Sequence, residues 1–268
     1  MLRAITRTAI SIRPVVTLDK ATLDRMWALY APHHNMTRSE FEDKLATLDE
    51  VALFIRRKDR ALIGFCGLRH LVVRPATGRP VATFYMGLTY LEPEFRSSGL
   101  TQWMVVRRVL GPLLSPRFGR VYFWCDCLTY RPYLAMARNL GEYYPCPTRA
   151  TSDEVLEVIT TLGKTYYGDC FDEQFGTVRK PLRRINEHEA HVSAADVEDP
   201  DISFYLERNP GYDRGDGLIA ICPMGVRNLA HLFRRQLRKG LFASPKQPAP
   251  QLQFSREVAP AGRSVAAV

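Results

Sequence analysis

The sequence predicts a mixed α/β fold, a mostly antiparallel central sheet flanked by helices, with a C-terminal elaboration. Three observations predict it. Residues 9–140 read as strand, two helices, three strands, helix, strand and helix. Two tight turns, Lys58-Asp59-Arg60 and the loop with Pro75, Gly78 and Pro80, join the three central strands as a meander. An apolar strand then runs through a short turn into an amphipathic helix and a second apolar strand, the pattern of a crossover between neighbouring strands.

Each element has a local reason. Ala9 to Val16 reads as a first strand after a mobile arm. Asp19 caps a helix with Leu23, Met26, Trp27 and Tyr30 on one face, ended by Pro32. Thr37-Arg38-Ser39-Glu40 is a capping box before Phe41, Leu45 and Leu48. The loop between them, Ala31 to Met36, holds His33 and His34. Strands follow at Val51 to Arg56, Ala61 to Val73 and Val81 to Leu91. Gly87, inside the last of these, marks a bulge or a close backbone approach. The next helix starts at Leu100 and runs to about Leu110, where Gly111-Pro112 disturbs it. Val121 to Cys125 is apolar on both faces, as a covered strand should be. Pro132 suits the first turn of a helix that Gly141 stops.

Composition limits the function. The chain has 268 residues, 46% hydrophobic and 24% charged, with a net charge of +9. It can bury a full core. No apolar run approaches the roughly 20 residues needed to span a bilayer, and no apolar stretch of a secretory signal follows the N-terminal arginines. The six cysteines lie in apolar or strand-like surroundings without disulfide or metal spacing, so reduced thiols, a cytoplasmic location and no metal are expected. No acid precedes Asp19, and none lies between Asp216 and Glu257. Such an excess of positive charge favours anionic partners. Nucleic acid is disfavoured, because no binding module or interleaved arginine–aromatic pattern occurs.

The most informative segment is Leu91-Glu92-Pro93-Glu94-Phe95-Arg96-Ser97-Ser98-Gly99-Leu100-Thr101. A glycine lets backbone approach a ligand, and a helix N-terminus directs unpaired N–H groups at it. With the helix dipole and Arg96 beside it, the turn is suited to phosphate. Together with the order of elements from Ile10 to Pro147, this segment resembles the GNAT superfamily, the N-acetyltransferases related to Gcn5. The resemblance implies an acyl-coenzyme A co-substrate, acetyl-CoA or a longer acyl-CoA. Met86, Leu88, Tyr90 and Leu91 then fall on the strand that holds the pantetheine arm and the thioester carbonyl. Arg96, Ser97, Ser98, Gly99, Leu100 and Thr101 fall on the pyrophosphate turn. Two positions depart from the family pattern: Thr101 replaces Gly or Ala, and Ala137 stands where many members place the tyrosine that protonates the leaving thiolate.

Acyl transfer to an amine needs an uncharged nucleophile, a polarised carbonyl and a proton for the thiolate. His33, His34, Glu92 and Asp126 are candidates for the base, and Tyr133, one helical turn before Ala137, for the acid. Asp126 lies at the end of an apolar strand, an awkward place for a charge, and must find a partner or face a cleft. Cys125 and Cys127 are a weaker alternative as nucleophiles.

The expected organisation is a core over 1–147, an elaboration over 148–243 packed on it, and a disordered tail over 244–268. Met224 to Leu241 is a basic amphipathic helix. Val226, Leu229, Ala230, Phe233 and Leu237 form its apolar face, and Arg227, Arg234, Arg235, Arg238 and Lys239 populate the rest. Such a helix suits an anionic membrane surface or a solvated exterior. The expected activity is N-acyl transfer to an amine. Long-chain transfer to an amino lipid, as in bacterial ceramide synthase-like enzymes, and silent acyl-CoA binding are the alternatives. The acceptor, a small molecule or a lipid, and the oligomeric state stay open.

Overall fold

The computed structural model describes residues 6–76, 78–96, 98–180 and 191–241, with side chains through residue 234. In chain order the elements are β1 (Thr8–Pro14), α1 (Lys20–Tyr30), α2 (Arg38–Ala46), β2 (Glu50–Arg56), β3 (Leu62–Val73), β4 (Val81–Leu91) and α3 (Leu100–Leu114). They continue with β5 (Arg120–Cys127), α4 (Tyr130–Asn139), α5 (Asp153–Tyr167), β6 (Phe171–Asp172), β7 (Thr177–Val178), α6 (Ala194–Val197), α7 (Pro200–Arg208), β8 (Gly217–Pro223) and α8 (Val226–Leu241). The first nine follow the expected order.

The capping signals act as read. The Asp19 side chain accepts the Thr22 backbone N–H, and Thr37 and Glu40 form both halves of a capping box. Helix α3 runs past Gly111 to Leu114 with Pro112 inside its last turn. The expected stop near Leu110 is therefore four residues early.

All eight strands form one sheet, ordered β1-β2-β3-β4-β5-β8-β7-β6. Every neighbouring pair is antiparallel except β4–β5, which the α3 crossover makes parallel. Side chains alternate across the sheet. On one face Phe84, Phe123 and Cys125 pack under α3, α4, α7 and α8, with Met104, Val109, Leu134 and Leu232 among the buried partners. On the other, Phe65, Tyr85, Tyr122 and Trp124 pack under α1, α2 and α5, with Met26, Phe41 and Val158. Both faces being covered explains why β5 is apolar from Val121 to Cys125.

The region after residue 147 adds strands to this same sheet. Residues Leu218 to Cys222 of β8 are fully enclosed beside β5, and the polar run before them folds into an organised turn. There the buried Asn209 donates to the Tyr205 hydroxyl and to the Asp216 carbonyl. Truncating Ile221→Ala in this strand is expected to cost about 2–5 kcal/mol. The same change at Val226, which is 85% exposed on α8, should stay within about 0.5 kcal/mol. Urea unfolding of the two variants checks the contrast.

Candidate functional site

The site begins where β4 and β5 part. Their register runs from Val81 opposite Arg120 to Tyr85 opposite Trp124 and stops there, while β4 continues to Leu91 and β5 to Cys127. The cause lies in β4. Phe65 pairs with Tyr90 and Gly67 with Gly87, so two steps on β3 face three on β4. That extra residue is a bulge, which bends and twists its strand. Leu88 takes the strain, with φ at +44°, a conformation that costs a β-carbon residue about 1–3 kcal/mol. Gly87 has a packing reason as well: a β-carbon there would lie 2.4 Å from the Tyr85 hydroxyl.

Beyond β4, Pro93–Phe95 form a short 3₁₀ turn and Gly99 precedes α3 with φ at +87°, a conformation that favours glycine. The N-cap Gly99 has no side chain to cap α3, and among the described residues the first N–H groups of the helix stand at the positive end of its dipole without a side-chain cap. The Ser98 hydroxyl beside them is buried without a hydrogen-bond partner. Arg96 is exposed; its Nε donates to the Leu91 carbonyl at 3.0 Å, and its guanidinium lies 5.8 Å from the centre of the Tyr90 ring. An uncapped helix start, an orphaned hydroxyl and a surface arginine together fit a phosphate-bearing ligand. Ser97 lies outside the described residues.

Directly inward is an apolar cavity of about 120 Å³ between α3, α4 and the parting strands, lined by Met86, Thr101, Val105, Phe123, Cys125 and Met136. It brings together Met86 and Thr101, which the sequence placed on separate parts of the ligand. Leu232 of α8 also lines it.

The proton-handling candidates separate. His33 lies against the end of β4, its ring 5.1 Å from that of Tyr90. Glu92 is half-buried there, with Arg25 at 3.6 Å. Burial, with neighbouring Glu94, pushes the Glu92 carboxyl up despite the opposing charges of Arg56 and Arg25. His34 turns the other way: it stacks on Tyr30 at 3.6 Å, with Nδ1 3.2 Å from the Tyr30 carbonyl oxygen. Tyr133 does not reach the cleft. It is fully enclosed, its hydroxyl donates to the Pro145 carbonyl at 3.0 Å, and burial pushes its phenol far up. The inward face of α4 was legible, but not that other protein atoms would close over it. Cys125 and Cys127 hold their sulfurs 3.5 Å apart, and burial pushes the Cys127 thiol up, opposite to what an attacking thiolate needs.

Sequence reasoning singled out Asp126 but missed its partners. On the far face of the sheet, Asp126 accepts hydrogen bonds from the Tyr85 hydroxyl at 2.7 Å and from Lys180 Nζ at 2.6 Å. The one available signal was a carboxylate amid apolar strand residues; its partners are 41 and 54 residues away.

No protein-family model and no curated protein matches the chain. Among solved structures, the chain is similar to NAA60 of Arabidopsis thaliana in complex with acetyl-CoA, at 14% identity over 50% of this chain and 86% of that one, with a TM-score of 0.36. It is similar to the aminoglycoside 6'-N-acetyltransferase AAC(6')-Ih of Acinetobacter baumannii at 16% identity, over 54% and 96%, with a TM-score of 0.36. The GNAT family N-acetyltransferase YhbS of Escherichia coli, in complex with CoA, gives 14%, 51%, 68% and 0.33. At TM-scores this low, the GNAT-like fold rests on the strand order, the bulge and the parting strands described above.

Replacing Gly87→Ala is expected to destabilise the protein by about 1–3 kcal/mol, because Tyr85 is held by both Trp124 and Asp126 and yields only with strain. Thermal unfolding measures the loss.

Proposed function

We propose that the chain binds an acyl-coenzyme A and transfers its acyl group to an amine. One observation carries the reading: a bulged, parting strand leads within a few residues into an uncapped glycine-led helix start, beside an orphaned hydroxyl and an apolar cavity. In this reading the pyrophosphate sits on the Gly99–Thr101 backbone with Ser98 and Arg96. The pantetheine arm lies in the cavity past Thr101 and Met86, along the β4 edge that has no partner strand after Tyr85. That edge, from Met86 to Leu91, directs backbone N–H groups at the thioester carbonyl, where negative charge develops on attack.

The amine must shed a proton before it attacks, and the candidates for that step stand at the end of β4. His33 is an imidazole against Tyr90, and Glu92 is a carboxylate whose raised affinity for protons suits a base acting through water. His34 and Tyr133 are left out, since both are engaged in packing. A second reading follows from Tyr133. With the Tyr133 hydroxyl on Pro145 and an alanine at position 137, neither of these two positions offers the thiolate a phenol, which favours a binder of acyl-CoA without chemistry.

Calorimetric titration with coenzyme A is expected to show at least tenfold weaker binding for Arg96→Ala, on the order of 1.4 kcal/mol or more. Unchanged affinity removes the assignment. Release of free thiol from acetyl-CoA when a primary amine is added marks the enzyme, and its absence with intact binding marks the silent binder.

The finer reading places the acceptor at a membrane surface. No helix among the described residues is long and apolar enough to cross a bilayer. Helix α8 supports contact with one, because Val226 and Phe233 are exposed at 85% and 42% beside the exposed Arg227 and Arg234. Asn228 and Leu232 face inward and anchor it to the domain. The protein is expected to sediment with vesicles rich in anionic phospholipid, and the double change Val226→Glu, Phe233→Glu should abolish this. A protein that never sediments with them disproves the membrane reading.

A further inference from the structure

Where β4 and β5 part, the face of the sheet opposite the apolar cavity carries a buried charge. Along β5, Phe123 and Cys125 line the apolar cavity, while Trp124 and Asp126 point to the opposite side. Asp126 is the second residue past the last β4–β5 pair, where β5 no longer has β4 beside it. It is nearly enclosed, with 9% of its side chain exposed. Its partners are the Tyr85 hydroxyl at 2.7 Å and Lys180 Nζ at 2.6 Å. The Lys180 ammonium also lies 4.5 Å from the centre of the Tyr167 ring, and the Tyr85 and Trp124 rings stand 4.7 Å apart alongside. Tyr30 faces the group from α1; burial and then the Asp126 charge push its phenol up, as they do those of Tyr85 and Tyr167.

A carboxylate ringed by phenols and aromatic faces has the chemistry of an ammonium site. Stability alone gives little reason for it, since a buried ion pair is about as stable as well-packed apolar residues of the same size. Nor does it have the chemistry of a base. Burial pushes the Asp126 carboxyl up, but the Lys180 and Lys44 charges and the Tyr85 hydroxyl more than offset that and hold it well below the usual carboxylate range. It recognises a cation without taking its proton.

We propose that Asp126, with Tyr85, Tyr167 and Trp124 around it, is the recognition site for the primary ammonium group of the acceptor, and that Lys180 occupies it as a tethered counterpart which the acceptor displaces. This rests on the acyl-transfer reading, which makes the parting of the strands a reaction cleft. The occupant defines the class. Lys180 presents an unbranched four-carbon chain ending in a primary ammonium, so the acceptor carries an unbranched alkylammonium arm of this kind besides the amine that attacks, which must be uncharged. A quaternary ammonium has no N–H to give Asp126. Lys180 is itself 14% exposed and lies at the rim, so exchanging one ammonium for another leaves the carboxylate paired.

The test uses the coenzyme-free protein and n-butylammonium in isothermal titration. Lys180→Met and Lys180→Gln are each expected to bind it at least tenfold tighter than the unsubstituted chain. Adding Asp126→Asn to either should remove the gain, and tetramethylammonium should show none. The proposal is overturned if neither lysine variant binds butylammonium more tightly, or if the gain survives Asp126→Asn. Loss of the folded state in both lysine variants, read by circular dichroism, makes the pair a structural one and also overturns it. Coenzyme A binding is measured on the same samples. Coenzyme binding without the butylammonium gain sinks this inference alone; the reverse result sinks the acyl-transfer reading and leaves Asp126 an ammonium site with no acceptor role.

Discussion

Everything in the candidate site follows from the five residue pairs over which β4 and β5 run together before separating after Tyr85 and Trp124. Separating two strands in the middle of a covered sheet leaves backbone N–H and C=O groups without their ladder, and a buried group left so is costly. The molecule limits that loss by keeping each arm in its outer ladder. The end of β4 stays on β3 through Tyr90 and Leu91, and the end of β5 stays on β8 through Asp126 and Cys127. The Cys127 carbonyl accepts a further bond from the Tyr205 hydroxyl at 3.0 Å. The inner edges alone are given up, and they are the edges a bound ligand can pair with.

This makes β8 part of the site, although it contributes no side chain to the anion turn. Without β8, β5 would be an edge strand at the point where its other neighbour leaves. The packing agrees. Leu218, Ala220 and Cys222 extend the face beneath α4 and α7, while Ile219 and Ile221 extend the face beneath α5. The C-terminal region therefore supports the cleft from behind, and α8 closes the apolar cavity with Leu232.

What was legible in the sequence was local. The strand, the turn and the helix start from Val81 to Thr101 are contiguous, so glycine, proline and apolar spacing revealed them. Gly87 announced a bulge because a glycine inside a strand needs a reason, although the strained residue is its neighbour Leu88. Contacts that close over long stretches of chain were not legible. Tyr133 has the spacing of a helix-face residue near the cleft, yet Pro145 and the aromatic rings of Tyr143 and Tyr205 enclose it. Spacing assigns a residue to a face of a helix; it does not say what covers that face. Lys180 carried no signal, because its meaning depends on Asp126, which is distant in the chain. Asp126 was visible only as an anomaly, a charge where the strand pattern calls for an apolar residue.

In the acyl-transfer reading the two faces of the parted strands accept opposite signs of charge, and the sheet between them keeps the two apart. On one face the start of α3, Arg96 and the orphaned Ser98 hydroxyl form an anion cradle that opens into an apolar cavity. On the other, Asp126 lies buried among tyrosines, paired with Lys180. In a low-dielectric interior, a polyanion and a carboxylate on the same side would repel strongly, and each would weaken the other's ligand. Placing them on opposite faces of one strand pair removes that conflict, because alternate residues of β5 serve different faces. The faces communicate only through the gap beyond Tyr85 and Trp124. In the proposed reading, an electrophile held by its phosphates from one side and an acceptor held by an ammonium arm from the other would meet at that gap.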